Sequence, residues 1–352
     1  MTITADQIEV IAPNFKRRLS GVTATVVRLV PIQSREIGIV ATGPVIPAHV
    51  PQIPLSHLLT LPRRGPGHSG WRVWHARRNV EMIGGLALRY LLGKRFKLLF
   101  TSASQRQQSG LTRWLIRRMD AVVATSDKTA AYLEGPSRVI MHGIDTQGFS
   151  PSTDRSALRA KLGLPDTGPL IGCYGRLRPS KGTDLYVQAM TEVLRNHPTA
   201  TALVMGRAVE KFQDFEADLK AAVAKAGLED RIRFLPEVPT QDMADWYRVL
   251  DLYVAPQRWE GFGLTPIEAM ACGVPVVATR VGAFDALVTE GETGLLVDPG
   301  DADALAQATD DALSDPARLT VWSQAARDRA THEFSIEGEA AALVALYREL
   351  LT

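Results

Sequence analysis

The sequence predicts an α/β protein of two Rossmann-like, parallel-sheet domains, and three observations carry that reading. From Pro169 onward, short apolar runs alternate regularly with helical segments, the pattern of a parallel sheet with helices on both faces. Residues 1–150 repeat the scheme less cleanly, and 352 residues suffice for two domains of ordinary size. Charge divides the same way: residues 1–150 carry 20 Lys+Arg against 8 Asp+Glu, whereas 151–352 carry 20 against 30. The expected domains are 1–150 and 151–334, followed by a final helix at 335–352.

Composition excludes several classes. Hydrophobic content of 45% and charged content of 22% are those of a soluble globular protein. Cys173 and Cys272, the two cysteines, both sit in apolar surroundings, which points to core packing in a reducing compartment. The start, Met1 to Asp6, has neither a basic nor an apolar leader region, and no apolar run approaches the roughly 18 residues of a spanning helix. A cytoplasmic location is expected. The basic first half suits an anionic partner or an arginine-rich solvated face; no nucleic-acid motif accompanies it.

Along the first half, 8–13 predicts a strand, a loop over 14–20 leads to Gly21, and a helix runs to about 36. A glycine between a first strand and first helix lets a phosphate approach backbone amides. Lys16, Arg17 and Arg18 in that loop are an anion contact or a wet turn. A second strand is expected at 38–43, then an irregular connection over 44–70 rich in Pro and His. Residues 71–92 read as a helix with Trp71, Trp74, Arg77 and Arg78 at helical spacing. Such a face suits an anionic lipid surface, or packs its indoles inward. Further strands fall at 97–101, 121–126 and 138–141, with a helix bearing Arg113, Trp114, Arg117 and Arg118. Residues 142–151 read as a linker.

In the second half a helix at 154–162 precedes the alternation. Strands are expected at 169–174, 201–205, 231–235, 251–255, 274–278 and 294–297, and helices at 182–196, 210–226 and 240–249. The stretch that organises this half is Glu260-Gly261-Phe262-Gly263-Leu264-Thr265-Pro266-Ile267-Glu268, a strand-to-helix loop at the carboxyl end of a strand, where open α/β sheets bind ligands. Gly261 and Gly263 allow close backbone approach. Thr265 as N-cap with Pro266 at N1 aims amides at an anion, with a glutamate on either side. Thr265 and Glu268 also form a capping box, useful with no ligand at all. Arg176 and Lys181 flank a short loop at another strand's carboxyl end, and a guanidinium and an ammonium there match a diphosphate or are simply solvated.

Glu260 to Glu268 resembles the E-x7-E signature of retaining nucleotide-sugar glycosyltransferases of GT-B family 4. The likeness runs from about Pro169 to Pro299 and includes Gly175-Arg176, Lys181-Gly182, Gly206-Arg207 and Gly291-Glu292-Thr293-Gly294-Leu295-Leu296-Val297. Gly21-Val22-Thr23-Ala24-Thr25, Phe100-Thr101-Ser102-Ala103 and His142-Gly143-Ile144-Asp145 are similar to bacterial lipopolysaccharide core mannosyltransferases. The resemblance implies the GT-B fold, two Rossmann-like domains facing a cleft, with the final helix crossing back to the first.

It further implies the roles. Arg176 and Lys181 would hold the donor diphosphate and offset charge on the leaving group, and Glu260 would bind donor sugar hydroxyls beside the amides of Phe262 and Gly263. Leu264 and Thr265 belong to the same donor loop, and Glu268 would take the ribose diol. Gly206, Arg207, Glu237 and Val238 would lie near the nucleoside, and Gly21 near phosphate. GDP-mannose is the implied donor, with no cofactor or metal. The implied acceptor is an anionic glycolipid, the lipopolysaccharide inner core, reached at the cytoplasmic face of the inner membrane. Peripheral contact would involve Lys16, Arg17, Arg18, Arg63, Arg64, Arg77, Arg78, Trp71 and Trp74. UDP-glucose as donor, a sugar-nucleotide epimerase and a non-catalytic basic binding protein are the alternatives. A glycosidase reading of the two glutamates is disfavoured, because plain glycoside hydrolysis does not need the cation pair. The family's first-domain histidine has no counterpart in 101–106, leaving the hydroxyls there, Gln105 or His142 to replace it.

Overall fold

Runs of Val, Ile, Leu and Ala buried on both faces form the central strands, and every strand pairing is parallel. The computed structural model describes residues 4–17 and 21–352; Arg18 and the rest of 18–20 lie outside it, so their place in the predicted loop is not described. The chain divides into one unit of Met1–Gly143 with Ile336–Thr352 and a second of Ile144–Ser335.

The first unit runs β1 (Val10–Pro13), α1 (Gly21–Gln33), β2 (Ile39–Thr42), α2 (His57–Thr60), β3 (Arg72–Ala76), α3 (Asn79–Tyr90), β4 (Phe96–Ser102), α4 (Gly110–Ile116), β5 (Ala121–Ala124), α5 (Asp127–Ala130) and β6 (Arg138–Val139). Its sheet has the order β2-β1-β3-β4-β5-β6.

The helix expected over 71–92 is corrected here: its first part is the strand β3, in parallel register with β1 and β4. All five residues of β3 are buried, so no alternation marks it, and Arg72, Trp74 and His75 disguise it further. The Arg72 guanidinium lies in the interior because four carbonyls receive it, those of Ile8, Pro62, Arg64 and Ala5, at 2.8 to 3.1 Å. Trp74 is a fully buried core residue whose indole N–H donates to the Glu81 carbonyl at 2.7 Å, so it is not part of an outward helix face.

The second unit runs α6 (Arg155–Lys161), β7 (Leu170–Tyr174), α7 (Thr183–Asn196), β8 (Thr201–Met205), α8 (Gln213–Lys225), β9 (Ile232–Leu235), α9 (Met243–Arg248), β10 (Leu252–Ala255), α10 (Thr265–Ala271), β11 (Val276–Thr279), α11 (Phe284–Leu287), β12 (Gly294–Val297), α12 (Ala302–Leu313) and α13 (Pro316–Glu333). The strand expected at 274–278 begins two residues later. The order is β12-β11-β10-β7-β8-β9. Strand succession therefore reverses between β7 and β10, the position where doubly wound sheets open a crevice at their carboxyl edge.

The last helix, α14 (Ile336–Leu351), belongs to the first unit and packs Leu343, Val344 and Tyr347 into its core. Among the described residues no helix is long and apolar enough to cross a membrane. Both cysteines are buried and free, and burial pushes their thiols up to about 12.

Candidate donor site at the strand switch

β7 and β10 are neighbours, and the loops leaving their carboxyl ends are stitched together. The amides of Arg258 and Trp259 donate to the Ser180 carbonyl at 3.1 and 3.3 Å. The Arg258 guanidinium donates to the Pro179 carbonyl at 2.8 Å and forks onto both Asp184 oxygens at 2.7 Å each. Gly182 makes this approach possible: at φ +70°, a Cβ there would lie 1.8 Å from the Pro256 carbonyl oxygen. The result is an ion pair between Lys181 Nζ and Glu260 Oε2, both side chains largely shielded from solvent.

The rest of the E-x7-E loop closes around Glu260. Gly263 has φ +91°, and a Cβ there would meet the Phe284 ring at 2.2 Å and Glu260 Cγ at 2.9 Å. The Phe262 carbonyl accepts from Ala283 N at 3.0 Å. The expected capping box is corrected: α10 begins at Thr265, Leu264 flanks it, and no side chain caps it. Glu268 instead accepts the Tyr247 hydroxyl at 2.8 Å. That tyrosine packs its ring on Tyr174 and Tyr253, at centroid distances of 5.1 and 5.4 Å. Burial, then the charge of Glu268, holds the Tyr247 phenol well above its usual range, so it stays a donor.

Arg176 follows Gly175 at the exit of β7, with its side chain exposed and unpaired. Gly206, at the end of β8, lies against it: a Cβ there would sit 1.8 Å from the Gly175 carbonyl oxygen. Leu177 N donates to the Arg207 carbonyl at 3.2 Å. Arg207 is exposed, 3.4 Å from Glu237, the residue before Val238 at the end of β9. The structure thus brings Lys181, Glu260 and Gly263 together and sets Arg176 beside Gly206 and Arg207. Gly21 opens α1 in the other unit, where a Cβ would meet nothing within 4 Å. Arg258, Asp184 and Tyr247 escape sequence reasoning because each acts on a residue 21 or more positions away.

In the first unit, succession reverses between β1 and β3. There Asn14 Oδ1 accepts from Arg78 at 2.8 Å and from Thr23 at 3.0 Å, and Arg78 pairs with the fully buried Glu81 at 2.7 Å. Arg78 is therefore a largely enclosed structural cation held by Asn14 and Glu81 rather than a free surface charge. His142, considered as a replacement histidine, is held 2.8 Å from Glu339 of α14. The histidine that does reach the 101–106 stretch is His75, whose Nε2 lies 2.7 Å from the Thr101 hydroxyl. Gln105 donates to Ser126 at 3.4 Å.

Two doubly wound units with converging charge at the switch of the second are the GT-B plan, and this chain has the GT-B glycosyltransferase fold. Among solved structures it resembles sucrose-phosphate synthase from Thermosynechococcus elongatus, with TM-score 0.78 and 25% identity over 97% of this chain and 98% of that one. The family described as glycosyl transferases group 1 matches residues 154–329. The chain is 51% identical to the lipopolysaccharide core biosynthesis mannosyltransferase LpsB of Rhizobium meliloti, covering 98% of each. It is 49% identical to the corresponding mannosyltransferase LpcC of Rhizobium leguminosarum, covering 98% of this chain and 97% of that one. The chain belongs to the group 1 glycosyl transferases.

Proposed function

We propose that this glycosyltransferase moves mannose from GDP-mannose, with retention of configuration, to the lipopolysaccharide inner core at the cytoplasmic face of the inner membrane. The near end-to-end likeness to two core mannosyltransferases supports the sugar and the acceptor class. The charge at the β7–β10 switch supports a diphosphate donor. Lys181 and Arg176 face the diphosphate and stabilise the negative charge that grows as the bond from C1 to phosphate oxygen breaks. Glu260 accepts hydrogen bonds from sugar hydroxyls, and Glu268 accepts those of the ribose diol. The acceptor oxygen bonds to C1 on the face the diphosphate leaves, and its proton passes to the departing phosphate oxygen. No protein nucleophile and no metal enters the scheme.

A thermal-shift comparison of GDP, UDP and ADP tests the donor. A ligand at 100 times its Kd adds about 2.7 kcal/mol to stability, so GDP should raise the midpoint and the others should not. Stabilisation by UDP alone would overturn the base. Transfer to a lipid A–core acceptor, with the product's anomeric configuration read by NMR, tests the rest.

A further inference from the structure

Of the large apolar side chains exposed among the described residues, ten of thirteen lie in the first unit, and seven of those gather at α2 and α3. Val80, Ile83, Ala87 and Leu91 recur at helical spacing along α3 and its C-cap, so an apolar stripe of this helix faces outward. Leu91 is 82% exposed and Leu59 of α2 is 67% exposed. Between them runs a groove of about 510 Å³ floored by Phe15, Leu58, Trp74 and Leu88, with Ser56 its one hydroxyl-bearing residue. Lys94 fixes the walls by donating to the carbonyls of Leu59 at 3.0 Å and Leu61 at 2.5 Å. An outward apolar face of this extent marks an interaction site.

Its collar identifies the partner. Arg63 and Arg64 stand exposed without ion pairs, and a Cβ on Gly93 would come within 3.8 Å of Arg63 Nε. That arginine therefore borders the turn bearing Leu91 and Leu92. Arg95 and Lys97 lie 4.6 and 5.2 Å from the Trp71 ring centroid, with Arg95 N bonded to the Arg63 carbonyl at 2.8 Å. Apolar side chains ringed by arginine, lysine and tryptophan match the boundary between acyl chains and anionic headgroups.

We propose that the α2–α3 face docks on an anionic bilayer, with Leu59 and Leu91 entering the acyl layer and Arg63 and Arg64 meeting headgroup phosphates. The proposal rests on the membrane-face part of the function above and needs none of its donor chemistry. It moves the contact away from Arg78, which Asn14 and Glu81 hold, and leaves Trp74 only at the floor of the groove.

The test uses the full chain with an environment-sensitive fluorophore on Leu91→Cys. Cys173 and Cys272 stay unlabelled because both are buried with thiols pushed up to about 12. Vesicles of phosphatidylglycerol with phosphatidylcholine should shift the emission to the blue, and pure phosphatidylcholine vesicles should not. A label on Val321→Cys, exposed on α13 of the second unit, should stay silent. Joint Leu59→Ser and Leu91→Ser should lower partitioning at least ten-fold, and joint Arg63→Glu and Arg64→Glu by about ten-fold or more, with the GDP thermal shift unchanged in both. A silent Leu91 label on vesicle-bound protein, or undiminished partitioning of the double serine variant, would overturn the docking surface. So would a dimer in sedimentation that the serine variant abolishes, since a second copy would then cover the face. Vesicle binding that survives while GDP binding and mannosyl transfer are absent would support the surface and sink the donor reading.

Discussion

Arg258 grips Asp184 through two parallel hydrogen bonds of 2.7 Å, and this fork joins the loops that carry Lys181 and Glu260. Both partners are more than a third exposed, so the pair adds little to global stability. Its effect is positional, since an error of about 1 Å in a catalytic group can cost 100-fold in rate. Arg258→Ala and Asp184→Asn should each lower kcat/KM for the donor at least ten-fold while the melting temperature moves by no more than a few degrees. The double variant should be no worse than either single one, the signature of two residues acting as a unit. Arg258→Lys should fail to rescue, because an ammonium cannot form the fork. Additive losses in the double variant would show that the two residues act separately.

The Lys181–Glu260 pair ties charge to geometry at the site itself. Lys181→Ala and Arg176→Ala should each reduce kcat by roughly 100-fold or more if both cations stabilise the leaving diphosphate. Arg176 is exposed and unpaired, so its loss should leave thermal stability at the wild-type value. Turnover at the wild-type rate in either variant would remove that residue from the catalytic set.

Glu268 holds the Tyr247 hydroxyl at 2.8 Å, which separates its two possible roles experimentally. Glu268→Gln keeps an acceptor for Tyr247 and loses the carboxylate that suits a ribose diol. It should raise donor KM about ten-fold with the melting temperature nearly unchanged. Tyr247→Phe removes only the hydrogen bond, worth about 1 kcal/mol, and should lower stability more than it raises KM. An unchanged KM in Glu268→Gln would leave Glu268 as a support for the tyrosine cluster alone.

The second unit was legible because its strands are plain apolar runs broken by glycines whose φ or close contacts exclude other residues. Gly182, Gly206 and Gly263 are the cases at the site. β3 was not legible. Its Arg72 and His75 are satisfied by Ile8, Pro62, Thr101 and Tyr347, partners that local periodicity cannot show. The same limit hid the Arg258–Asp184 fork, although Lys181 and Glu260 could be named from their loops. Thr265 illustrates the opposite error, a correct local capping pattern that tertiary packing does not use.

His75 offers a test of the first unit's interior. Its ring lies between the Tyr347 hydroxyl and the Thr101 hydroxyl, each at 2.7 Å. Burial first, then the positive charge of Arg77, holds its pKa well below the usual histidine value. Tyr347 does not titrate in the acid range, since burial pushes it up to about 12. The folded state therefore keeps His75 neutral at pH values where the unfolded chain takes up a proton near pH ~6.5. The unfolded state binds more protons, so this contribution is complete above about pH 6.5 and is lost as pH falls below it. The limiting slope is about 1.4 kcal/mol per pH unit. Denaturant titrations at pH 7.5, 6.5 and 5.5 should show stability falling with acid in the wild type. His75→Gln should fall less steeply by up to that slope, whatever its absolute stability, because other titrating groups act alike in both proteins. Parallel pH curves would mean that His75 takes up its proton in the folded state as readily as in the unfolded one, and the neutral, hydrogen-bonded account of β3 would be wrong.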